Sequence, residues 1–398
     1  MSRRYRIMTV AVFYGGKSCE HDVSIITGVQ TAKLLDGYDV VPVYIDRGGK
    51  WNYVKRYDDV AAYRKGLIKC KKVFMKPEDD YLYLNGGKRF KKIDVAVLCT
   101  HGAGGEDGAL QGFLQLCGVA YTGSGIAASA IGMDKILAKK MFVSAGLNVT
   151  DYFVIKRSEY ENTLPGVVER AKEAGYPLMI KPACLGSSIG ICKAANAKEL
   201  ITALNVAFEW DNTVIAEKAL SDFTELNCAV LKDGETHFVS EAEQPLSEDG
   251  FLSYADKYER GGLKGAGGRI FPADIDEALK KEVQESAVKA FDAVGASGIA
   301  RVDFLYDEKE KVLYVNEINT IPGSLALYLF PSGPDGGKDI SDQKEKLTEK
   351  NKNSLNAAKY GEGNVEALKL LIAAAVYERD ARERLRYKYE SAVLHSKG

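Results

Sequence analysis

The segments ARVDFLYD (300–307) and VLYVNEINT (312–320) read as two strands joined by a turn, and they carry polar side chains at strand spacing. Side chains alternate along a strand, so Arg301 and Asp303 share one face, and Glu317 and Asn319 share another. If the two faces coincide, two carboxylates and an amide oxygen meet beside a guanidinium. Such oxygen ligands suit Mg²⁺, particularly Mg²⁺ bound to the phosphates of a nucleotide. The alternative is a solvated face with ordinary cross-strand charge pairs.

A second stretch, MIKPACLGSSIG (179–190), could bind phosphate. A predicted strand delivers Lys181, and a Gly-Ser-Ser loop that contains Ser187 follows. Backbone N–H groups and hydroxyls in such a loop can bind phosphate oxygens, while the lysine supplies charge. Lys135, on a predicted helix, could reach the same phosphates. A plain connecting loop is the alternative.

The third stretch, CTHGAGGEDGALQG (99–112), places His101, Glu106 and Asp107 in a glycine-rich loop between a strand and a helix. Ligands of open α/β sheets bind at the carboxyl ends of strands, so this loop has the position of a binding site. For Glu106 and Asp107 we favour a simpler role, as negative charges at the N-terminus of the helix.

The fourth stretch, FYGGKSCEHDVS (13–24), contains Gly16-Lys17-Ser18, which looks like the end of a nucleotide-binding P-loop. A P-loop needs a glycine five residues before Gly16, and Ala11 occupies that position. The stretch is therefore not predicted to bind phosphate. The charged residues that follow, among them Glu20, need another explanation.

Composition narrows the class of protein. The chain has 398 residues, 46% of them hydrophobic, and a net charge of −1, which gives no electrostatic case for binding nucleic acid or an anionic membrane. Its seven cysteines are scattered and contain no Cys-x-x-Cys pair, which argues against disulfides and structural zinc. The apolar run 7–14 reads as a buried strand because no signal-peptide cleavage site follows it. We expect a soluble cytoplasmic protein.

The elements that must position these residues form three regions. In the first third, predicted strands (7–13, 39–45, 95–100) alternate with helices (24–35, 110–116), which favours a parallel sheet covered by helices. A long helix at 127–145 then leads into a region of helices (165–174, 199–207) and strands (176–181, 213–218). An antiparallel region follows, with a hairpin around Asp233-Gly234 and a glycine-rich, mobile loop at 253–268. The polar segment 332–363 reads as an insertion.

Together these stretches resemble the D-alanine-D-alanine ligases of the ATP-grasp superfamily. The matching pieces occur in the family's order, and they are GGKSCEHDVS, HGAGGEDGALQG, YTGSGIAASAIGMDK, IKPACLGSSIG, VIAEKAL, YADKY, ARVDF and NEINTIPG. The resemblance implies an α/β chain with an ATP-grasp fold, α+β in its C-terminal part. It implies a Rossmann-like parallel-sheet domain at 1–123, a central ATP-grasp subdomain at 124–216 and a catalytic domain at 217–398.

The resemblance also implies a role for each matching residue. Glu20 would anchor the ammonium of the first D-alanine, with Val23 and His101 beside it. Ser187 and Tyr258 would join Glu20 in a hydrogen-bonded triad. Lys257 would face the phosphates. Lys135, Lys181 and Ser187 would hold the phosphates of ATP, and Glu217, Lys218, Leu220 and Glu225 would line the adenosine site. Asp303, Glu317 and Asn319 would ligate two Mg²⁺ ions, with Mn²⁺ as a possible substitute. Arg301 and the Gly323 N–H would stabilise oxyanions.

The implied reaction joins two D-alanines through an acylphosphate at the expense of ATP, in a protein that is usually a homodimer. The sequence departs from the family at one point: in PGSLALYLF, Tyr328 occupies the position of a serine that binds the second substrate's carboxylate. Two alternatives follow, an ATP-grasp ligase with a different second substrate or a nucleotide-binding module without catalysis. The four intact residues of the 300–320 hairpin argue against the module.

Overall fold

A computed structural model describes residues 7–246, 268–331 and 362–385. Three sheets carry the fold: one of eight strands near the N-terminus, one of four in the middle and one of four near the C-terminus. A short two-strand pairing, β15 (Gln244–Pro245) with β16 (Arg269–Ile270), lies beside the third sheet.

The N-terminal sheet contains eight strands, in the spatial order β6-β5-β4-β3-β2-β1-β7-β8. Along the chain they are β1 (Thr9–Gly15), β2 (Asp39–Ile45), β3 (Trp51–Val54), β4 (Cys70–Lys76), β5 (Asp79–Leu84), β6 (Arg89–Lys92), β7 (Val95–Leu98) and β8 (Ala120–Tyr121). The helices of this region are α1 (His21–Leu34), α2 (Val60–Arg64) and α3 (Ala109–Leu116). Strands β2, β1, β7 and β8 are parallel, as the sequence predicted.

Every residue of β1 is buried, which fits a central strand covered on both faces. The segment 51–90, which matches no simple pattern in the sequence, extends the same sheet with antiparallel strands. Most connections there are too short to carry a crossover between parallel strands, and the longer one from β3 to β4, which contains α2, also returns the chain antiparallel. The carboxyl ends of β1 and β7 lead into the loops that contain Glu20 and His101.

The central sheet is antiparallel, with the order β11-β10-β12-β9. Its elements are β9 (Tyr152–Lys156), α6 (Arg157–Ala174), β10 (Leu178–Pro182), β11 (Cys192–Ala194), α7 (Ala197–Phe208) and β12 (Thr213–Lys218). Helices α6 and α7 bury apolar side chains against one face of the sheet. Since β12 runs across position 216, the proposed boundary between second and third domains falls inside a strand.

The prediction of a single helix over 127–145 is wrong, because the chain forms two helices, α4 (Ile126–Met133) and α5 (Lys135–Ser144). Asp134 separates them with an extended backbone, and its side chain accepts hydrogen bonds from the N–H groups of Ile136 and Leu137. An aspartate at this position caps the start of the second helix, so it ends the first one. The break places Lys135 in the first turn of α5.

The C-terminal sheet has the order β14-β13-β17-β18 and is antiparallel. Its elements are β13 (Phe223–Asp233), β14 (Thr236–Val239), α8 (Glu277–Ala293), β17 (Gly298–Asp307), β18 (Val312–Asn319), the turn segment Gly323–Leu329 and α9 (Glu362–Glu383). Side chains of the turn segment and of α9 pack into the core of the N-terminal sheet. Among the described residues, no helix combines the length and apolar character needed to cross a membrane.

Candidate active site

The hairpin β17–β18 brings the four predicted polar residues together. Arg301 lies opposite Asn319 and Asp303 lies opposite Glu317, so the two polar faces coincide. The Arg301 guanidinium donates two hydrogen bonds to the Asp303 carboxylate, over 2.6 Å from Nε and 2.7 Å from Nη2. The Asn319 amide donates to the same carboxylate over 3.0 Å. The spacing in the sequence therefore predicted a real constellation, and Asp303 stands at its centre.

A bulge next to this constellation adds a residue that sequence reasoning missed. The register of the hairpin shifts between Asp303 and Phe304, so Asn316 has no partner opposite it on β17. A bulge re-aims side chains, and the Asn316 amide oxygen accepts a hydrogen bond from Lys181 over 3.2 Å. Two consecutive polar residues, Asn316 and Glu317, interrupt the alternation of β18, and that interruption is the signal that could have revealed it.

Lys135 links the hairpin to the Gly-Ser-Ser loop. Its ammonium donates to the Leu185 carbonyl over 2.6 Å and lies 3.4 Å from the Glu317 carboxylate. The side chain is only 8% exposed, so its charge acts at short range in a poorly hydrated place. The cap at Asp134 fixes this geometry because it starts α5 at Lys135.

A buried ionic cluster lies at the junction of the central sheet and β18. The Glu217 carboxylate accepts hydrogen bonds from Lys181 over 2.9 Å and from Thr150 over 3.1 Å, while the Lys139 ammonium lies 3.4 Å away. Burial would raise the pKa of Glu217, but the lysines and their hydrogen bonds lower it to about 2. Glu217 is therefore ionised at neutral pH. Lys139, whose side chain is 1% exposed, was missed because one more lysine on a predicted helix gave no signal.

Glu20 and Ser187 meet although 167 positions separate them, and the Ser187 hydroxyl donates to the Glu20 carboxylate. Glu20 is buried at the start of α1. Two glycines make room for its carboxylate, since a Cβ at Gly186 or at Gly102 would lie 2.8 Å from Glu20 Oε2. Ser187 has a φ of 53°, in the left-handed region that a serine seldom adopts. This backbone turns its hydroxyl toward Glu20.

His101 lies behind the turn that contains Gly323. Its Nδ1 is 2.9 Å from the Ile321 carbonyl and its Nε2 is 2.9 Å from the Thr27 hydroxyl. Because Nδ1 must donate to a carbonyl, Nε2 accepts from Thr27, whose oxygen in turn accepts the Ser324 N–H over 3.2 Å. Burial lowers the pKa of His101 to about 4, so the ring is neutral. Both of its nitrogens hold the loop around Gly323.

The structure contradicts the helix-terminus role for Glu106 and supports it for Asp107. Asp107 accepts from the N–H of Ala109, the first residue of α3, and from the N–H of Gly104 in the preceding loop. Glu106 turns inward and accepts from the Gly102 and Ile321 N–H groups, each over 3.2 Å. Burial first, and then the charge of Glu20, raise the pKa of Glu106 to about 8. Glu106 therefore fastens the His101 loop to the turn before Gly323.

This raised pKa predicts a pH dependence of stability. A glutamate that titrates near 4.5 when unfolded and near 8 when folded binds its proton more tightly in the folded state. Its contribution is then fully present below 4.5, and it is lost as pH rises through 8. We expect the free energy of unfolding to fall with a slope approaching about 1.4 kcal/mol per pH unit. Glu106→Gln should flatten that slope in urea titrations, while Asp107→Asn should leave it as in the wild type.

Tyr328, at the position singled out in the sequence, donates its hydroxyl to Glu243 over 3.0 Å, and its ring lies under the Arg269 guanidinium, 4.6 Å from the ring centre. The hydroxyl of Ser324 donates to Gln30 over 2.9 Å, on the other side of the turn. Gly323 begins the turn, and the next three residues have φ values near +50°, which is left-handed backbone without glycine.

The remaining predicted residues lie around this centre or outside the described part. Val23 is buried in the first turn of α1, and Glu225 lies on β13 opposite Leu305. Lys218 is exposed at the end of β12 and Leu220 is half-buried just after it. Lys257, Tyr258, most of the 253–268 loop and most of the 332–363 segment fall outside the described residues. Within the described ranges no three His, Cys, Asp or Glu side chains group as metal ligands, so the candidate set depends on the Asn319 amide.

Comparisons with known proteins agree with this geometry. Residues 9–124 match the family model described as D-ala D-ala ligase N-terminus, and residues 141–334 match the one described as D-ala D-ala ligase C-terminus. A D-alanine--D-alanine ligase from Chlorobaculum tepidum is 39% identical over 338 residues, which cover 81% of this chain and 90% of that protein.

Two solved structures show the same fold. The D-alanine-D-alanine ligase from Coxiella burnetii superposes with a TM-score of 0.75 at 24% identity, covering 95% of this chain and 96% of that one. A D-Ala:D-Ser ligase from Enterococcus faecalis superposes with a TM-score of 0.72 at 28% identity, covering 93% of this chain and all of that one. From the matched family models and the identity to the curated relative, the chain belongs to the D-alanine-D-alanine ligase family.

Proposed function

We propose that this protein joins two D-alanines into D-alanyl-D-alanine for peptidoglycan synthesis and converts ATP into ADP and phosphate. The observation that carries the proposal is a chain of contacts that joins the hairpin β17–β18 to Lys135, Lys181 and the Ser187 loop, and through that loop to Glu20. Lys135 reaches Glu317, Lys181 reaches Asn316, and the Ser187 loop that contacts Lys135 also contacts Glu20. A carboxylate, a nucleotide and an amine can be held side by side at such a junction.

The family uses ATP with a divalent metal, and the residues of the hairpin fit that requirement. Asp303 and Glu317 offer carboxylate oxygens and Asn319 offers an amide oxygen on one face, which is a ligand set for Mg²⁺. We assign two Mg²⁺ ions to these residues, with Mn²⁺ as a possible substitute. When bound, the metal would offset negative charge on the phosphates of ATP. Arg301 and Asn319 orient the Asp303 carboxylate by hydrogen bonds.

The phosphates of ATP are assigned to Lys135, Lys181 and the loop with Ser187. Both lysines are buried and are fixed by hydrogen bonds, so their charges are positioned before ATP arrives. The adenine is assigned to the strand end with Glu217, Lys218 and Leu220, and the ribose to Glu225. Glu217 is ionised, and its carboxylate can accept from an exocyclic amino group.

Lys181→Ala should weaken ATP binding and leave D-alanine binding nearly unchanged. The lysine is assigned to phosphate alone, and loss of one charge-assisted contact costs roughly 1.5–3 kcal/mol, or about ten- to a hundredfold in affinity. Calorimetry with a non-hydrolysable ATP analogue measures the effect. Lys193→Ala, at an exposed position on the neighbouring strand β11, is the matched control. Equal ATP affinity in both variants would remove Lys181 from the phosphate site.

The first D-alanine is assigned to the space beside Glu20, Ser187 and Val23. The Glu20 carboxylate offers its ammonium a charge-assisted hydrogen bond. The substrate's own carboxylate then faces the phosphates and attacks the γ-phosphorus, with ADP as the leaving group. His101 and Glu106 act indirectly on this substrate, because their hydrogen bonds to the Ile321 backbone fix the loop around Gly323.

The second step forms the peptide bond. The amine of the second D-alanine attacks the acylphosphate carbon and gives a tetrahedral intermediate, from which phosphate leaves and the amine loses a proton. Arg301 and the Gly323 N–H are assigned to the developing oxyanion. By the resemblance we assign Lys257 to the phosphates and Tyr258 to the hydrogen-bonded triad with Glu20 and Ser187.

A different second substrate is the remaining alternative, and the curated relatives do not favour it. The D-Ala:D-Ser ligase among the similar structures shows that a serine acceptor suits this fold. Phosphate release from ATP and Mg²⁺ with a panel of D- and L-amino acids tests the proposal. D-alanine should give the highest kcat/KM, and a panel without turnover would refute a ligase function.

We also propose that the protein acts as a homodimer in the cytoplasm. The support is the use of ATP and small amino acids as substrates, together with the usual assembly of the family. Light scattering of the purified protein measures the mass directly, and a mass near that of one chain at micromolar concentration would refute the dimer.

A further inference from the structure

Three residues from separate segments meet beside the hairpin: Glu243, Arg269 and Tyr328. We refer to them as the Glu243 cluster. The Glu243 carboxylate accepts from the Arg269 guanidinium over 3.0 Å and from the Tyr328 hydroxyl over 3.0 Å. The Arg269 guanidinium also stacks over the Tyr328 ring at 4.6 Å. Each member therefore contacts the other two.

The backbone places this cluster next to the candidate metal ligands. Glu243 exchanges two backbone hydrogen bonds of 2.8 Å with Asn227, and Asn227 lies directly opposite Asp303 in the sheet. Arg301, which holds Asp303, also acts electrostatically on both Tyr328 and Glu243. The cluster thus borders the reaction centre on the side of the turn segment Gly323–Leu329.

The two ends of the ion pair have different exposure. The Glu243 side chain is 4% exposed, whereas the Arg269 side chain is 58% exposed. Glu243 is the one carboxylate within ion-pair distance of Arg269 in the part of the chain that the structure describes. A guanidinium carries five N–H donors in a planar fork, and the contact with Glu243 uses only one nitrogen. Glu243 and the Tyr328 ring hold the guanidinium still, while its other edge faces outward.

The chemistry of the proposed reaction supplies a ligand for that edge. The first D-alanine, which we call the donor, uses its carboxylate to form the acylphosphate, and its ammonium is assigned to Glu20. The second D-alanine, which we call the acceptor, reacts through its amine and keeps a free carboxylate throughout the reaction. A fixed positive group close to the reaction centre can bind that carboxylate, and a guanidinium fork matches it in shape.

We propose that Arg269, held in place by Glu243 and Tyr328, binds the carboxylate of the acceptor D-alanine. This proposal rests on the proposed function and extends it to Arg269, a residue for which the sequence analysis predicted no role. Tyr328 and Glu243 are positioning residues in this assignment, since they act through Arg269. The phenol at the serine position then supports the acceptor site from below, with no direct contact to the substrate.

The test compares two acceptors, D-alanine and D-alaninamide, which lacks the carboxylate charge. For Arg269→Gln we expect the acceptor KM for D-alanine to rise tenfold or more, with the donor KM within twofold of the wild type. Activity with D-alaninamide should stay within twofold, so the preference for D-alanine falls at least fivefold. Arg269→Lys, which keeps the charge but loses the fork, should give an intermediate preference. Glu243→Gln should lower the preference in the same direction.

Arg170→Gln is the matched control, because Arg170 also stacks on an aromatic ring, that of Phe153 at 5.0 Å, and pairs with a carboxylate, that of Glu159 at 2.8 Å. Arg170 lies on α6, and the preference of the Arg170→Gln variant for D-alanine over D-alaninamide should equal that of the wild type. The D-alaninamide reaction reports whether each variant is folded and competent. If the wild type is active with D-alanine and Arg269→Gln keeps the wild-type preference for D-alanine over D-alaninamide, the assignment of Arg269 is wrong while the proposed function stands. A wild type inactive with D-alanine would overturn the proposed function.

Discussion

Glu317→Gln should lower ligase turnover by about 10²–10³-fold without unfolding the protein. Glu317 lies opposite Asp303 in the hairpin, and its carboxylate lies 3.4 Å from the Lys135 ammonium. An amide keeps the size of the side chain but removes its charge and half of its capacity to ligate a metal. Steady-state phosphate release at saturating ATP and D-alanine measures the loss, and circular dichroism checks the fold.

The matched control is Glu310→Gln, at an exposed position in the turn of the same hairpin. It should retain the activity of the wild type. If the loss in Glu317→Gln arises from metal binding, the Mg²⁺ concentration for half-maximal rate should rise as well. Near-normal turnover of Glu317→Gln at millimolar Mg²⁺ would mean that Glu317 is not a metal ligand.

Arg301→Lys should lower kcat by about a hundredfold or more, although it conserves the charge. The guanidinium makes two hydrogen bonds to Asp303, of 2.6 and 2.7 Å, and a lysine ammonium cannot reproduce that planar contact. Asp303 would then lose the two-pronged contact that orients its carboxylate, and the oxyanion would lose an oriented donor. The expected signature is a fall in kcat that exceeds any change in the KM of either D-alanine.

Ammonium charge alone would suffice if Arg301→Lys worked at the rate of the wild type, and the assignment of a fork to this position would be wrong. Lys311→Arg, in the exposed turn after β17, tests whether exchanging the two cations has any general effect on the hairpin. It should leave kcat unchanged.

The spacing of polar residues predicted the centre of the site because strand alternation is a local rule. Arg301 and Asp303 had to share a face, and a hairpin of that length could only bring them against Glu317 and Asn319 or turn them away. The faces of the two strands that do not carry these residues are buried, so the polar side chains of both strands must lie on the same side of the hairpin. The roles of these residues came from the resemblance to a family and still await the experiments above.

Other parts of the site depend on contacts between distant segments, and the sequence does not display those. Glu106 looks like a helix-terminus residue until Ile321, 215 positions away, offers it an N–H group. Lys139 becomes important only because Glu217 is buried beside it. The break at Asp134 was missed for a different reason, since the apolar pattern of the two helices continues across it and hides the capping side chain.

The left-handed turn at Ser324, Leu325 and Ala326 limits how far this enzyme can be treated as interchangeable modules. Non-glycine residues in this conformation each cost on the order of 1–3 kcal/mol, so the turn persists only where its surroundings impose it. Those surroundings belong to the N-terminal sheet, through Thr27 and the buried apolar core. A chimera that takes residues 1–123 from a relative must bring a compatible threonine, histidine and glutamate, or the transplanted half will leave the Gly323 turn to relax. The outcome of domain exchange within the family should therefore depend on the contacts between residues 1–123 and the Gly323 turn.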